Sequence, residues 1–225
     1  MAKHQADEPA DTRMMGIIHD ALRRDLARTR TALTEQPYPD GDRRVALADH
    51  LRWMMRYLHD HHRSEDRGLW PLLRKKAPNA AELLDTMEQD HAGISDAMTA
   101  VVSAAHKYAE GGPDETRADL LASLTALEDV LLPHLQREEQ QTMPLAASRL
   151  TMGEWRAWEQ EFHIKQRSFT ELGDEGHWLL DGLDTTRYQI VVRQVPTVPR
   201  FILLHGFARR YQRRAALRWQ PNSPH

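Results

Sequence analysis

His61-His62-Arg63-Ser64-Glu65-Asp66-Arg67-Gly68-Leu69-Trp70-Pro71 and His134-Leu135-Gln136-Arg137-Glu138-Glu139-Gln140-Gln141-Thr142-Met143-Pro144 share one pattern. A His is followed four residues on by Glu, and six further on by Pro. Side chains four apart lie on one face of a helix, stacked one turn apart. Upstream of each run stands a shorter repeat, His19-Asp20-Ala21-Leu22 before the first and His91-Ala92-Gly93-Ile94 before the second. The chain is therefore two copies of a hairpin. Each gives one His from its first helix and a His plus a Glu from its second.

Working outward, turn residues fall at Gln36-Pro37-Tyr38-Pro39-Asp40-Gly41, from Pro71 to Pro78-Asn79, at Gly111-Gly112-Pro113-Asp114, and at Pro144. Between them, apolar residues recur at spacings of three and four, the mark of bundled helices. The first stripe holds Met15, Leu22, Leu26, Thr29 and Leu33. The second holds Leu47, Leu51, Met54, Leu58 and Leu72, the third Leu84, Met87, Ile94, Met98 and Val101, and the fourth Leu120, Leu124, Leu127 and Leu131. His19, His61, Glu65, Gly68, His91, His134 and Glu138 interrupt these stripes where a core expects Leu, Ile or Met. Burying an imidazole or carboxylate without a partner is costly, so a cation is the simplest occupant.

Short connections make neighbouring helices antiparallel, and counting from the turns puts the four histidines at one level, to within about a turn. Four imidazoles and two carboxylates are too many for one tetrahedral zinc. Shared between two ions they give two His each, with both Glu placed to bridge. Mixed nitrogen and oxygen ligation with open positions suits iron, with manganese the second choice. Glu88-x-x-His91 matches the Glu-x-x-His of ferritin-like bundles, but position 131, three before His134, is Leu. His59, Asp60, His62 and Asp66 are expected on other faces, in solvated or supporting roles. His50, His106 and His163 stay unassigned.

Over about residues 12–148 these segments resemble the hemerythrin-like, cation-binding (HHE) family. The Glu65-Asp66-x-x-Leu69-Trp70-Pro71 run is particularly similar to that family's. The resemblance implies an oxo- or hydroxo-bridged di-iron site held by His19, His61, Glu65, His91, His134 and Glu138, and able to meet O2, H2O2 or NO. The oxygen-carrying hemerythrins of marine invertebrates resemble this chain too, but have a second His where Ser95 stands and end with His-x-x-x-x-Asp. One imidazole fewer implies a more open site, and favours turnover or sensing over reversible carriage.

Composition narrows the rest. Cysteine is absent, which excludes disulfides, thiolate metal sites and thiol nucleophiles. No Gly-rich phosphate loop or nucleophile elbow is present. The first residues lack the apolar core of a secretory signal and no run of about 18 apolar residues occurs, so a soluble cytoplasmic protein without an integral membrane segment is expected. Residues 1–186 hold all 33 acids against 22 of the 30 Lys and Arg, whereas 187–225 hold eight Arg and no acid.

The fold expected is all-α: an up-down-up-down four-helix bundle over 10–150, with a C-terminal amphipathic, Arg-rich helical extension over 151–225. Within the extension, 151–172 reads as a helix, Gly173 to Gly182 as a loop, Tyr188–Val192 as a short extended segment halted by Pro196 and Pro199, and Phe201–Trp219 as a basic amphipathic helix. Folding back on the acidic bundle is the first expectation for this tail. A homodimer through it is the second, and membrane surfaces or nucleic acid are less favoured. The function expected is a di-iron protein that binds or reacts with small oxidants, as a catalase- or peroxidase-like enzyme if it turns over. The alternative is a non-enzymatic iron, oxygen or redox sensor signalling through the basic extension.

Overall fold

The bundle grows from four long helices: α1 (Arg13–Thr34), α2 (Gly41–Ser64), α4 (Ala81–Ala109) and α5 (Asp114–Arg137). Short α3 (Trp70–Lys76) and α6 (Met143–Arg149) prolong α2 and α5. The extension adds α7 (Met152–Glu159), α8 (Phe169–Leu180), α9 (Thr185–Gln194) and α10 (Ala208–Trp219). This computed structural model describes residues 6–111, 114–194 and 204–219. Expectations on Gly112, Pro113, Pro196, Pro199, Phe201 and Leu203 lie outside the described residues. No strand occurs among those described, and no helix is long and apolar enough to cross a membrane.

The expected stripes face inward. Leu22, Leu33, Leu47, Leu51, Met54, Leu58, Leu84, Met87, Ile94, Val101, Leu120, Leu124, Leu127 and Leu131 are fully buried. α4 ends where Gly111 takes φ 83°, a left-handed turn that suits glycine. The apolar core forms two clusters. One runs through Leu26, Leu51, Val101 and Leu124. The other gathers Met15, Trp70, Leu84, Met143 and Trp155. The interrupting His and Glu residues lie in the polar layer between them.

Pro71 and Pro144 do not break their helices. Each follows a single π turn, Glu65–Leu69 and Glu138–Thr142, closed by Trp70 N–H bonding Glu65 O and Met143 N–H bonding Glu138 O. The wide turn accommodates a proline ring that would clash with the carbonyl four residues back in a regular helix. It also moves the buried stripe by one residue: Leu69, Trp70 and Leu73 are buried, while Gly68 and Leu72 are only partly covered. The second copy behaves alike, burying Thr142, Met143 and Ala146.

The extension departs from expectation in three places. Residues 151–172 are not one helix: α7 ends in a π turn at Gln160–Ile164, and α8 starts afresh behind Ser168, which forms a capping box with Glu171. Gly173 to Gly182 is not a loop, because most of it belongs to α8; a Cβ at Gly173 would meet the Phe207 ring at 2.6 Å, so this glycine serves close packing rather than a turn. Tyr188–Val192 is helical, not extended. Asp184 Oδ1 accepts from the N–H groups of Thr186 and Arg187 and starts α9. Burial of Val191 and Val192 then outweighs the β preference of the Ile-Val-Val run.

The tail meets an acid of the bundle where Arg187 pairs Asp20, whereas Arg210 and Arg214 share Asp174 of α8, inside the extension. Its firmest anchor is Asp25 of α1. This buried carboxylate accepts from His50 Nε2 of α2 (2.7 Å), Trp178 Nε1 of α8 (2.9 Å) and Arg24 Nε (2.8 Å). Arg24 and Arg28 continue to the Asp181 carbonyl and carboxylate, and Tyr211 of α10 donates to the same carboxylate at 2.9 Å.

Candidate metal centre

The His-x-x-x-Glu spacing puts His61 over Glu65 and His134 over Glu138, and each Glu is the first residue of its π turn. The fold brings all six expected residues into one layer, none more than 5% exposed. They fall into two groups. Ligand-type atoms of His19, His61 and Glu138 lie within 4.8 Å of one another, as do those of His62, His91 and His134. The carboxylates span the groups. Glu65 Oε1 is 3.1 Å from His61 Nε2, and its Oε2 is 3.5 Å from His91 Nε2. Glu138 Oε2 is 3.3 Å from His19 Nε2 and 3.8 Å from His134 Nε2.

His62 was expected on another face, but is 4% exposed and stacks on His91 with ring centroids 4.0 Å apart. In a bundle each helix meets two neighbours, so adjacent residues can both face inward on opposite flanks: His61 turns to α1 and His62 to α4. A sequence signal existed in Met55, Leu58 and His62, a second stripe at spacings of three and four whose apolar members are buried. With His62 the layer holds five imidazoles. His62 thus brings to this level an imidazole from α2 beyond the six expected residues.

A cation layer leaves a chemical signature. The Nε2 atoms of all five histidines, and all four oxygens of Glu65 and Glu138, are buried without a hydrogen-bond partner. Three of the imidazoles are held from behind. His19 Nδ1 donates to Glu139 at 2.8 Å, His91 Nδ1 to Asp66 at 2.7 Å, and His134 Nδ1 approaches Asp90 at 3.4 Å. A carboxylate on Nδ1 fixes the tautomer whose Nε2 lone pair faces inward, the arrangement of metal-ligating histidines. Burying this many unsatisfied polar atoms together is untenable for an apolar core, and these donors fit a pair of cations.

Electrostatics agree. Burial pushes the pKa of His61 and His62 well down, and that of His134 to about 4, so these imidazoles are neutral and free to ligate near pH 7. Burial, reinforced by the neighbouring Glu138 carboxylate, drives Glu65 well above the usual carboxylate range. Burial would raise Glu138 too, but its interaction with His19 overrides it and holds it at about 2. Two adjacent carboxylates cannot both ionise cheaply without positive charge between them.

The extension covers one side of the layer. Trp158 Nε1 donates to Ser64 O at 3.0 Å, and His163 Nε2 meets Ser64 Oγ at 3.0 Å, next to Glu65. Gly68, the unexplained interruption of the second stripe, is where Phe162 and Trp158 press closest: a Cβ there would sit 2.5 and 2.6 Å from their rings. Gly68→Ala is therefore expected to destabilise the fold by about 1–3 kcal/mol, measured by denaturant unfolding. Unchanged stability would contradict this packing. On another side a groove of about 560 Å³, walled partly by Ser95 and Met98, reaches His62 and His91 from outside.

A family model described as the hemerythrin HHE cation-binding domain matches residues 12–146. No curated protein and no solved structure matches the chain.

Proposed function

We propose, for a chain that belongs to the hemerythrin HHE cation-binding family, that it holds two iron ions and uses them to bind or react with small oxidants: O2, H2O2 or NO. His19 and His61 would hold one ion, His62, His91 and His134 the other, with Glu65 and Glu138 shared. The carrying observation is the convergence of buried, unpartnered Nε2 and carboxylate oxygens from four helices. Bound iron would supply redox cycling and Lewis acidity.

The chain's own residues do the rest. Glu139, Asp66 and Asp90 hold imidazoles in the ligating tautomer, the two carboxylates balance cation charge, and the flanking apolar clusters exclude bulk water. The groove beside Ser95 gives access from outside to the His62–His91 side. Five imidazoles beside two carboxylates support oxidant binding as well as turnover, so the test must separate them. Iron quantification joined to a peroxide titration does so. About two irons per chain are expected, with visible charge-transfer absorption that changes on oxidant addition. O2 evolution scaling with iron marks the catalase-like enzyme, whereas a spectral change without turnover marks a binding or sensing module. A chain purified without iron that takes none up overturns the proposal.

The sensor alternative is favoured by one contact set: Trp158 and His163 of the extension bond Ser64, adjacent to Glu65. Hydrogen exchange in 152–164 that responds to oxidation would support it, and indifference would remove it.

A further inference from the structure

A second cavity, of about 550 Å³, opens between α2, α8 and α10, well inside the size range of small-molecule sites. Its walls include Trp53, Trp178 and Tyr211, with His50. The charges around it are uneven. Asp49 is paired with Arg52, and Asp174 with Arg210 and Arg214. Two further lining arginines, Arg56 and Arg218, meet no carboxylate among the described residues.

Arg218 is the informative one. It is 7% exposed, its Nε is buried without a partner, and its guanidinium lies over the Tyr211 and Trp219 rings. A buried guanidinium normally meets a carboxylate or phosphate, because an unpaired charge is expensive to bury. Its donor fork suits such a group in two-pronged fashion. Beside it, Trp53 carries an indole stacked on His50 at 5.6 Å and edge-on to Trp178 at 5.1 Å, an aromatic wall for a flat ring.

We propose that this cavity binds a small aromatic anion, its carboxylate or phosphate held by Arg218 with Arg56 and its ring set against Trp53. The site is separate from the metal layer, although Trp53 stacks on Tyr57 at 5.7 Å, which stacks on His61 at 6.4 Å.

The test uses the full-length, iron-loaded protein and four probes: benzoate, phenyl phosphate, inorganic phosphate and benzyl alcohol, followed by calorimetry and tryptophan emission. Benzoate or phenyl phosphate, whichever source of negative charge the site prefers, is expected to bind at least about 10-fold more tightly than either phosphate without a ring or the uncharged alcohol. Arg218→Leu should weaken that binding at least about 10-fold, and exposed Arg56→Gln by roughly threefold, with iron content unchanged in both. Should Arg218→Leu fail to fold, Arg56→Gln decides. Absence of binding by both ring-bearing anions, equal affinity for benzyl alcohol, or wild-type affinity in Arg56→Gln overturns the proposal.

Discussion

Glu138→Ala is expected to drop bound iron from about two per chain to below one, and to lower unfolding free energy by at least about 4 kcal/mol, the linkage effect of a ligand present at a thousandfold its dissociation constant. The expectation rests on position. Glu138 is fully buried and reaches His19 on one side and His134 on the other, so its loss touches both halves of the centre. Removing it also takes from His19, whose pKa burial would lower and this carboxylate raises, its inward counter-charge, leaving only Glu139 behind Nδ1. His62→Ala is the finer comparison, because it should release only the ion on the His91 and His134 side. His59→Ala, on an exposed turn of the same helix, should release neither. Colorimetric iron determination beside denaturant unfolding reads all three. Full iron in the Glu138 variant would show that this residue is no ligand.

Asp25→Ala should cost about 3–5 kcal/mol without touching the metal layer, since it strands Trp178 Nε1 and His50 Nε2 in the interior and removes an acceptor of Arg24. Asp25→Asn, which keeps an acceptor, should cost less. The same group predicts acid lability. Burial would raise Asp25, but the His50 hydrogen bond and the Arg24 guanidinium override it and hold the carboxyl far below its usual 3.8. Burial lowers His50 from 6.5, more than Asp25 raises it. Both folded values are depressed, so the unfolded chain takes up protons first as pH falls. Stability is complete above 6.5, erodes below it as unfolded His50 protonates, and erodes further below 3.8 as unfolded Asp25 does. Urea unfolding between pH 8 and pH 4 should show this loss in wild type and at least as much of it in Asp25→Ala, because removing the carboxylate that raises His50 leaves its folded value lower still. A flat profile in wild type would contradict the assignment.

Much of the centre was legible because its residues break a strict rule. An imidazole or carboxylate in a Leu stripe needs an explanation, and six of them on four helices needed a common one. His62 escaped because a one-residue step turns a side chain by about 100°, which looks like a different face until the second neighbour of α2 is known. The supporting acids were in plain view as doublets, Glu65-Asp66, Glu138-Glu139 and Asp90-His91, but their partners depend on packing between helices. The π turns were not readable at all, and Pro71 and Pro144 looked like stops. In the extension, glycine and β-branched residues carried the wrong local message at Gly173 and at Ile190-Val191-Val192. There tertiary burial decided the conformation.

A π turn is, in effect, a helix carrying one inserted residue, and where the insertion sits fixes the phase of everything after it. In both copies it begins at the acid, so the four-residue step from His to Glu keeps regular helical phase. Glu138 therefore points inward, and Glu139, one step round, is left to grip His19 from outside. Were the extra residue accommodated a turn earlier, between His134 and the acid, the phase would advance by about 100° and Glu139 would become the inward carboxylate. Deleting a residue such as Arg67 would remove the surplus: the regular helix that results would keep Leu69, Trp70 and Leu73 on the apolar cluster that backs the metal layer, but would bring the Pro71 ring against the carbonyl four residues back. The choice of inward acid and the room for the proline beyond it are thus set by the placement of a single surplus residue, twice over.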